Sequence, residues 1–187
     1  MVTKIRVGTR VVPTSHWQQL NEIVGLMMSV RPKSILDVGV GFGKFGVLAR
    51  EYLELWDGRD RYNDWQIIVD GIEAFEGYKN PIYDHVYNTV FFGDALKVLP
   101  VINRSYDLIL MIDVIEHFTK EDGLLLLNHC IKAAKHTIIS TPLNPSPQKG
   151  AFNNQYETHK SVFTVDDLPK NKTVVKNAKS LISLIYQ

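Results

Sequence analysis

At 187 residues, with 45% hydrophobic and 22% charged residues, the chain is long enough for one domain with a sizeable core and too short for two. A formal net charge of +1 provides neither a basic footprint for nucleic acid nor an acidic solvating tail, so nucleic acid is not the expected partner. The single cysteine, Cys130, excludes an internal disulfide and suits a reducing compartment. The absence of an N-terminal apolar block, and of any apolar run of the ~18 residues a membrane span needs, makes a cytoplasmic chain without membrane association the expectation.

Residues 1–14 read as an N-terminal extension. "SHWQQLNEIVGLMMSV" follows, with Ser15 as N-cap and Trp17, Leu20, Ile23, Val24, Met27 and Met28 at helical spacing; its methionines are read as core filler, not as a metal site. Pro32 ends this helix, and "SILDVGV" has the continuous apolar character of a buried strand. Gly39 within that run is followed by Gly41, Gly43 and Gly46, and Phe45, Leu48, Ala49, Tyr52 and Leu53 share one helical face. "WDGRDRYNDW" is a polar connection to a second buried strand, "QIIVDGIEA". Asn80 and Pro81 start a short helix, "NTVFFGDA" is a third strand and "YDLILMID" a fourth. Thr119 with Asp122 resembles a capping box ahead of the helix through "LLLLNHCIKAA", and "HTIISTPL" is a fifth strand. "KTVVKNA" and "SLISLIY" are too close together for a crossover helix, so they should form an antiparallel hairpin.

Strands alternating with helices predict one α/β domain over residues 1–187: a doubly wound, mostly parallel seven-stranded sheet with an antiparallel C-terminal hairpin and helices on both faces. Ligands of such sheets sit beyond the carboxyl ends of the strands. Those ends carry Asp37 and the glycines, Glu73, Asp94 and Asp113. Gly41, Gly43 and Gly46 satisfy G-x-G-x-x-G, which taken alone suggests a dinucleotide and a nicotinamide-dependent oxidoreductase. Four carboxylates would repel a pyrophosphate, since two unit charges at 4 Å interact by roughly 4 kcal/mol at an effective dielectric of 20. S-adenosylmethionine has no phosphate, and its sulfonium, ammonium and hydrogen-bond donors suit such a ring of acids.

"LDVGVGFGKFG", "VDGIEAF", "FFGDALKVLP" and "YDLILMIDVIEHF", in this order and with the terminal hairpin, resemble the motifs of class I S-adenosylmethionine-dependent methyltransferases over Ser15 to the C-terminus. The resemblance implies that Gly39, Gly41 and Gly43 let the backbone pass close to the methionine part of the cofactor. Asp37 would help hold that part, directly or through backbone and water. Glu73 would take both ribose hydroxyls beside Ala74, Asp94 would accept from the adenine amine while Ala95 meets the ring, and Asp113, Val114 and Ile115 would form the floor beneath the sulfonium. Asp37 and Asp113 could instead cap the loops after their strands, and Asp94 could also be the N-cap of "ALKVLP". The connection "WDGRDRYNDW" places Glu73 further than the usual ~20 residues from the glycines, so its assignment rests on the strand end.

The fourth strand leads into "DVIEHF", not the Asp/Asn-Pro-Pro-aromatic signature of enzymes that methylate amide or base nitrogens, which leans towards an oxygen of a small-molecule acceptor. Residues 144–165 are long and polar for a connector and should form a lid or acceptor loop, in which Glu157, His159 and Ser161 alternate among Phe152, Tyr156 and Phe163. His159 is the candidate general base, with Glu157 to orient it; His117 is the reserve, or else caps the next helix. His16, His85, His129 and His136 are assigned no role. Cysteine and histidine spacings suggest no dedicated metal site. A subunit that binds S-adenosylmethionine without catalysis is the remaining alternative, and the oligomeric state is not legible.

Overall fold

In the apolar runs of the chain successive side chains alternate between two buried faces, and this builds the sheet. The computed structural model describes residues 14–56, 64–145, 148–150, 154–176 and 179–187. Most of the N-terminal extension, residues 57–63 of the polar connection and Phe152 lie outside the described residues. The strands are β1 (Ser34–Val38), β2 (Ile68–Glu73), β3 (Thr89–Phe92), β4 (Tyr106–Ile112), β5 (Ala134–Pro142), β6 (Lys172–Lys176) and β7 (Ser180–Tyr186). Their order across the sheet is β3-β2-β1-β4-β5-β7-β6, with the first five parallel and β7 antiparallel to both β5 and β6. The expected fold class is thus the observed one. β1 lies between β2 and β4, so the order reverses at its carboxyl end, where open parallel sheets bind ligands.

The helices are α1 (Leu20–Val30), α2 (Lys44–Arg50), α3 (Pro81–Val86), α4 (Ala95–Val98) and α5 (Lys120–Ala133). Alternation along β1 sends Leu36 and Val38 to a core with Ile109, Met111, Leu126 and Cys130, and Ile35 to the opposite core with Ile23, Met27, Phe45 and Leu110. Asn80 caps α3 by accepting from the Ile82 N–H at 2.9 Å, and Pro81 stands at the first helical position as expected. The Thr119 hydroxyl accepts from the Asp122 N–H at 3.2 Å and lies 2.9 Å from the Asp122 carboxylate. No helix among the described residues is long and apolar enough to cross a membrane.

Two local readings fail at the start of α1. Ser15 is not its N-cap: the Lys44 ammonium takes both the Ser15 carbonyl (2.7 Å) and its hydroxyl (3.2 Å), and the chain enters α1 through a 3-10 turn, Trp17–Gln19. Trp17 is 75% exposed and Met28 36% exposed, so the apolar stripe is narrower than its spacing suggests, with Ile23 and Met27 at its centre. After α2 the chain continues as a five-residue π-helical stretch, Glu51–Leu55, which buries Glu54 against Arg50. Arg50 also donates to the carbonyls of Val86 and Ile67 and to Asn88, fixing α2 and the starts of β2 and β3 as one unit.

Candidate active site

Beyond β1 the chain turns through left-handed conformations at Gly39 (φ 82°), Gly41 (φ 54°) and Gly43 (φ 98°). A Cβ at Gly39 would run into the Val114 side chain, so only glycine allows the loop to close against the end of β4. Behind the loop, the Tyr87 hydroxyl donates to Asp37 at 2.6 Å and accepts from the Gly46 N–H at 3.1 Å, while the Tyr83 hydroxyl donates to the Gly41 carbonyl at 2.5 Å. Asp37 is 1% exposed and does not line the cavity; Tyr87 connects it to the loop backbone. Burial pushes its carboxyl up to about 7, against the lowering effect of the Tyr87 hydrogen bond. Gly46, the third glycine of the dinucleotide-like pattern, lies within α2, where a Cβ would strike the Tyr87 ring. It is a packing glycine.

Glu73 ends β2 at 6% exposure. One of its oxygens accepts from the Gly41 N–H at 2.8 Å and the other from the Phe75 N–H at 2.9 Å. The carboxylate therefore ties the glycine loop to the end of β2, and each oxygen keeps further acceptor capacity for a ligand. Burial raises its pKa, and the backbone N–H groups offset part of that rise. Asp94 caps α4 by accepting from the Leu96 N–H at 3.0 Å through one oxygen, while Ala74 and Ala95 line the cavity beside these acids. Both readings of Asp94 are thus compatible in one side chain.

At the end of β4, Asp113 adopts φ 53°, a left-handed conformation that a non-glycine residue rarely takes. Its carboxylate accepts from Gln19 at 2.6 Å and Ser140 at 2.8 Å, which joins the 3-10 turn ahead of α1 to β4 and β5. Burial raises the Asp113 pKa, and these hydrogen bonds oppose the rise. Val114 lines the cavity, but Ile115 is fully buried in the core and is not part of the floor.

The opposite wall is a separate segment docked onto the turn after β4. The N–H groups of Lys160 and Ser161 both donate to the Glu116 carbonyl, at 2.8 and 3.2 Å, and the Ser161 hydroxyl donates to the Phe118 carbonyl at 2.8 Å. This brings the His117 and His159 rings together, centroids 5.0 Å apart. His117 Nδ1 lies 3.3 Å from the Thr158 carbonyl, and burial pushes its imidazole down to about 4. Glu157 accepts from the Tyr78 hydroxyl at 2.9 Å, the hydroxyl in turn accepting from Asn154 at 3.1 Å. The Glu157 pKa is raised, chiefly by burial. Tyr156 lines the cavity, whereas Phe163 is buried against Ile115 and Gly123, a core residue rather than a pocket wall.

The two walls enclose a cavity of about 430 Å³, a size suited to a cofactor or small ligand. Gly39, Gly41, Glu73, Ala74, Asp94, Ala95, Asp113, Val114, His117, Glu157 and His159 all line it; Asp37 and Gly43 support it from behind. Among the described residues its lining carries six carboxylates (Glu73, Asp94, Asp113, Glu116, Asp122 and Glu157) and two lysines, Lys44 and Lys160. Sequence reasoning passed over Glu116, Tyr78, Asn154 and His16, which line the same cavity. Glu116 is 1% exposed, one carboxylate oxygen has no hydrogen-bond partner, and its pKa is raised well above the usual range by burial first and the Asp113 charge second. Donor atoms of Glu116, His117 and His159 all lie within 4.8 Å of one another.

Neither a family model nor a curated relative matches the chain. Solved structures do. An O-methyltransferase family protein from Burkholderia thailandensis superposes with TM-score 0.63 at 10% identity, over 89% of this chain and 55% of its own length. Magnesium protoporphyrin IX methyltransferase from Synechocystis PCC 6803, with bound SAH, gives TM-score 0.57 at 14% identity over 89% of this chain and 81% of that one. PH0226 protein from Pyrococcus horikoshii OT3 gives 0.60 at 15% identity, over 90% and 88%. This chain thus spans about half the length of the Burkholderia protein and most of the other two. At these identities the likeness establishes the fold, which is that of class I S-adenosylmethionine-dependent methyltransferases.

Proposed function

We propose that the protein is an S-adenosylmethionine-dependent methyltransferase that acts on an oxygen of a small-molecule acceptor. The observation that carries this reading is the convergence of Glu73, Asp94 and Asp113 with the glycine loop on one cavity at the topological switch point. Glu73 presents two oxygens to a ribose diol, and the free oxygen of Asp94 is suited to an adenine amine beside Ala95. Asp113 and Val114 lie where the sulfonium end would rest. Asp37 acts through Tyr87, holding the loop in place.

Methyl transfer breaks the bond between carbon and sulfur as the acceptor oxygen attacks in line; the electron pair stays on sulfur and the acceptor's proton must leave. The chain has to supply position, shelter from water and a proton acceptor. His159 is the group we assign to the proton, because it is joined to the acceptor wall through the clamp on the Glu116 carbonyl. Burial pushes the His117 imidazole down to about 4, which makes it a poor proton acceptor. Glu157 fixes the wall through Tyr78. The nicotinamide reading is disfavoured by the acids that line the cavity, which would repel a pyrophosphate. Calorimetry with S-adenosylmethionine, S-adenosylhomocysteine and NAD tests the proposal: the first two should bind, and preferential binding of NAD would overturn it.

A further inference from the structure

Buried carboxylates are paired in folded proteins, because an uncompensated charge in the interior is costly. Glu116 is compensated only in part. Its side chain is almost wholly buried; Thr141 and the backbone favour its charged form, yet one oxygen has no partner, and the nearby acids Asp113 and Glu157 add negative charge. Two imidazoles stand beside it. A backbone carbonyl can only accept, so the contact between His117 Nδ1 and the Thr158 carbonyl places the ring proton on Nδ1 and leaves the lone pair on Nε2. A second-sphere bond of this kind commonly fixes the tautomer of a metal-binding histidine.

We infer that Glu116, His117 and His159 form a binding site for one first-row divalent transition-metal ion at the acceptor end of the cavity. The donor set is two nitrogens and one carboxylate oxygen, which suits zinc, iron(II), cobalt(II) or manganese(II) far better than magnesium or calcium. The donor atoms lie within 4.8 Å of one another; ligands on one ion at about 2.0–2.2 Å stand at most about 4.4 Å apart, so the side chains must draw together to share it. The site is also built to hold its shape: the Lys160 and Ser161 N–H groups grip the Glu116 carbonyl, so the segment with His159 cannot shift without breaking two backbone hydrogen bonds. All three residues line the cavity, so coordination positions not filled by protein face it.

For the role of the ion, the inference rests on the methyl-transfer reading: an acceptor hydroxyl bound to the ion would lose its proton more readily, and His159 would act as ligand in place of free base. Binding itself stands apart from that reading and is measured without any acceptor. The probe is cobalt(II) added to untagged, chelator-stripped full-length protein, followed by visible absorption, with zinc(II) calorimetry and melting in parallel. The wild type should take up one equivalent, show ligand-field bands and melt at higher temperature with zinc. His117→Ala and His159→Ala should each lose the bands and the zinc-dependent shift while keeping the metal-free melting temperature and the affinity for S-adenosylhomocysteine. Glu116→Gln should weaken cobalt binding; should this buried variant not fold, the histidine variants decide. A wild type that takes up no metal, or alanine variants that bind cobalt as it does, would overturn the site. Failure with S-adenosylhomocysteine binding intact would leave the methyltransferase reading standing.

Discussion

On its β1–β2 side the cavity is walled by the fold's own backbone: the glycine loop is closed by Glu73, braced by Tyr83 and Tyr87, and continuous with the central strands. On its β4–β5 side the wall is a segment that leaves the sheet after β5 and returns to grip the turn after β4 through the Glu116 carbonyl, with Tyr78 and Glu157 as a further tie. The first wall cannot be altered without disturbing the core, whereas residues 154–161 of the second are held mainly by polar contacts, with Phe163 beyond them as the apolar anchor. Damage to the cofactor wall should therefore appear in stability and cofactor affinity together. Damage to residues 154–161 should appear chiefly in turnover.

The largest expected effect tests the second half of that contrast. His159→Ala should lower turnover by roughly 10²–10⁴-fold, the range for loss of a proton acceptor, with cofactor affinity and melting temperature unchanged. A parallel fall in S-adenosylhomocysteine affinity, read by calorimetry, would show that the walls are not separable.

Next is the pH dependence carried by Asp37. Its carboxyl titrates near the usual 3.8 when unfolded and at about 7 when folded, because burial raises it. Between these values the unfolded chain has lost a proton that the folded chain still holds, so stability falls as pH rises through this window and levels off above it. The slope from one such group is at most about 1.4 kcal/mol per pH unit. Other buried acids act in the same direction, so the measurement is a difference: urea unfolding of Asp37→Asn, which keeps an acceptor for Tyr87, should show a shallower loss than the wild type over this range. Equal slopes would mean that Asp37 is ionised in the folded protein.

Glu73→Ala should cost both stability and affinity. The N–H groups of Gly41 and Phe75 lose their acceptor, at about 1–3 kcal/mol for a buried group, and S-adenosylhomocysteine should bind at least about tenfold more weakly. A variant with full stability but weak binding would show that the carboxylate serves the ligand only. Tyr78→Phe should have the smallest effect, about 0.5–1.5 kcal/mol at most, from the lost bond to Glu157. Hydrogen exchange should accelerate over 154–161 while the amides of β1 and β4 stay protected. Acceleration in the central strands as well would join the two walls into one unit.

The contrast also explains what the chain's order of residues reveals. In a parallel sheet each strand's carboxyl end arrives at the same edge, so Asp37, Glu73, Asp94 and Asp113 could be grouped by reading the residue that closes each apolar run. Even there, contacts refine the picture: Asp37 turned out to lie behind the loop because Tyr87, 50 residues away, claims its oxygen. Glu73, assigned from its strand end to a ligand, has two backbone partners of its own. The acceptor wall depends on pairings that have no local signature. Glu116 stands in an apolar stretch with nothing to mark it as a cavity residue, and its neighbour His159 reaches it only through a docked segment. Ser15 was misread for the same reason, since its competitor Lys44 belongs to another element.

The preponderance of carboxylates in the lining has a bearing on how the two forms of the proposed cofactor are told apart. The methyl donor carries a sulfonium, an ammonium and a carboxylate, one net positive charge; once the methyl has gone, the sulfur is a neutral thioether and the net charge is zero. One unit charge near another is worth roughly 4 kcal/mol at 4 Å and an effective dielectric of 20, and among the described residues the lining acids outnumber the lysines even with Glu116 left uncharged. Under the proposed function, such a lining would hold the charged donor more firmly than the spent product. Transfer would discharge the ligand, so the reaction would loosen its own by-product with no moving part.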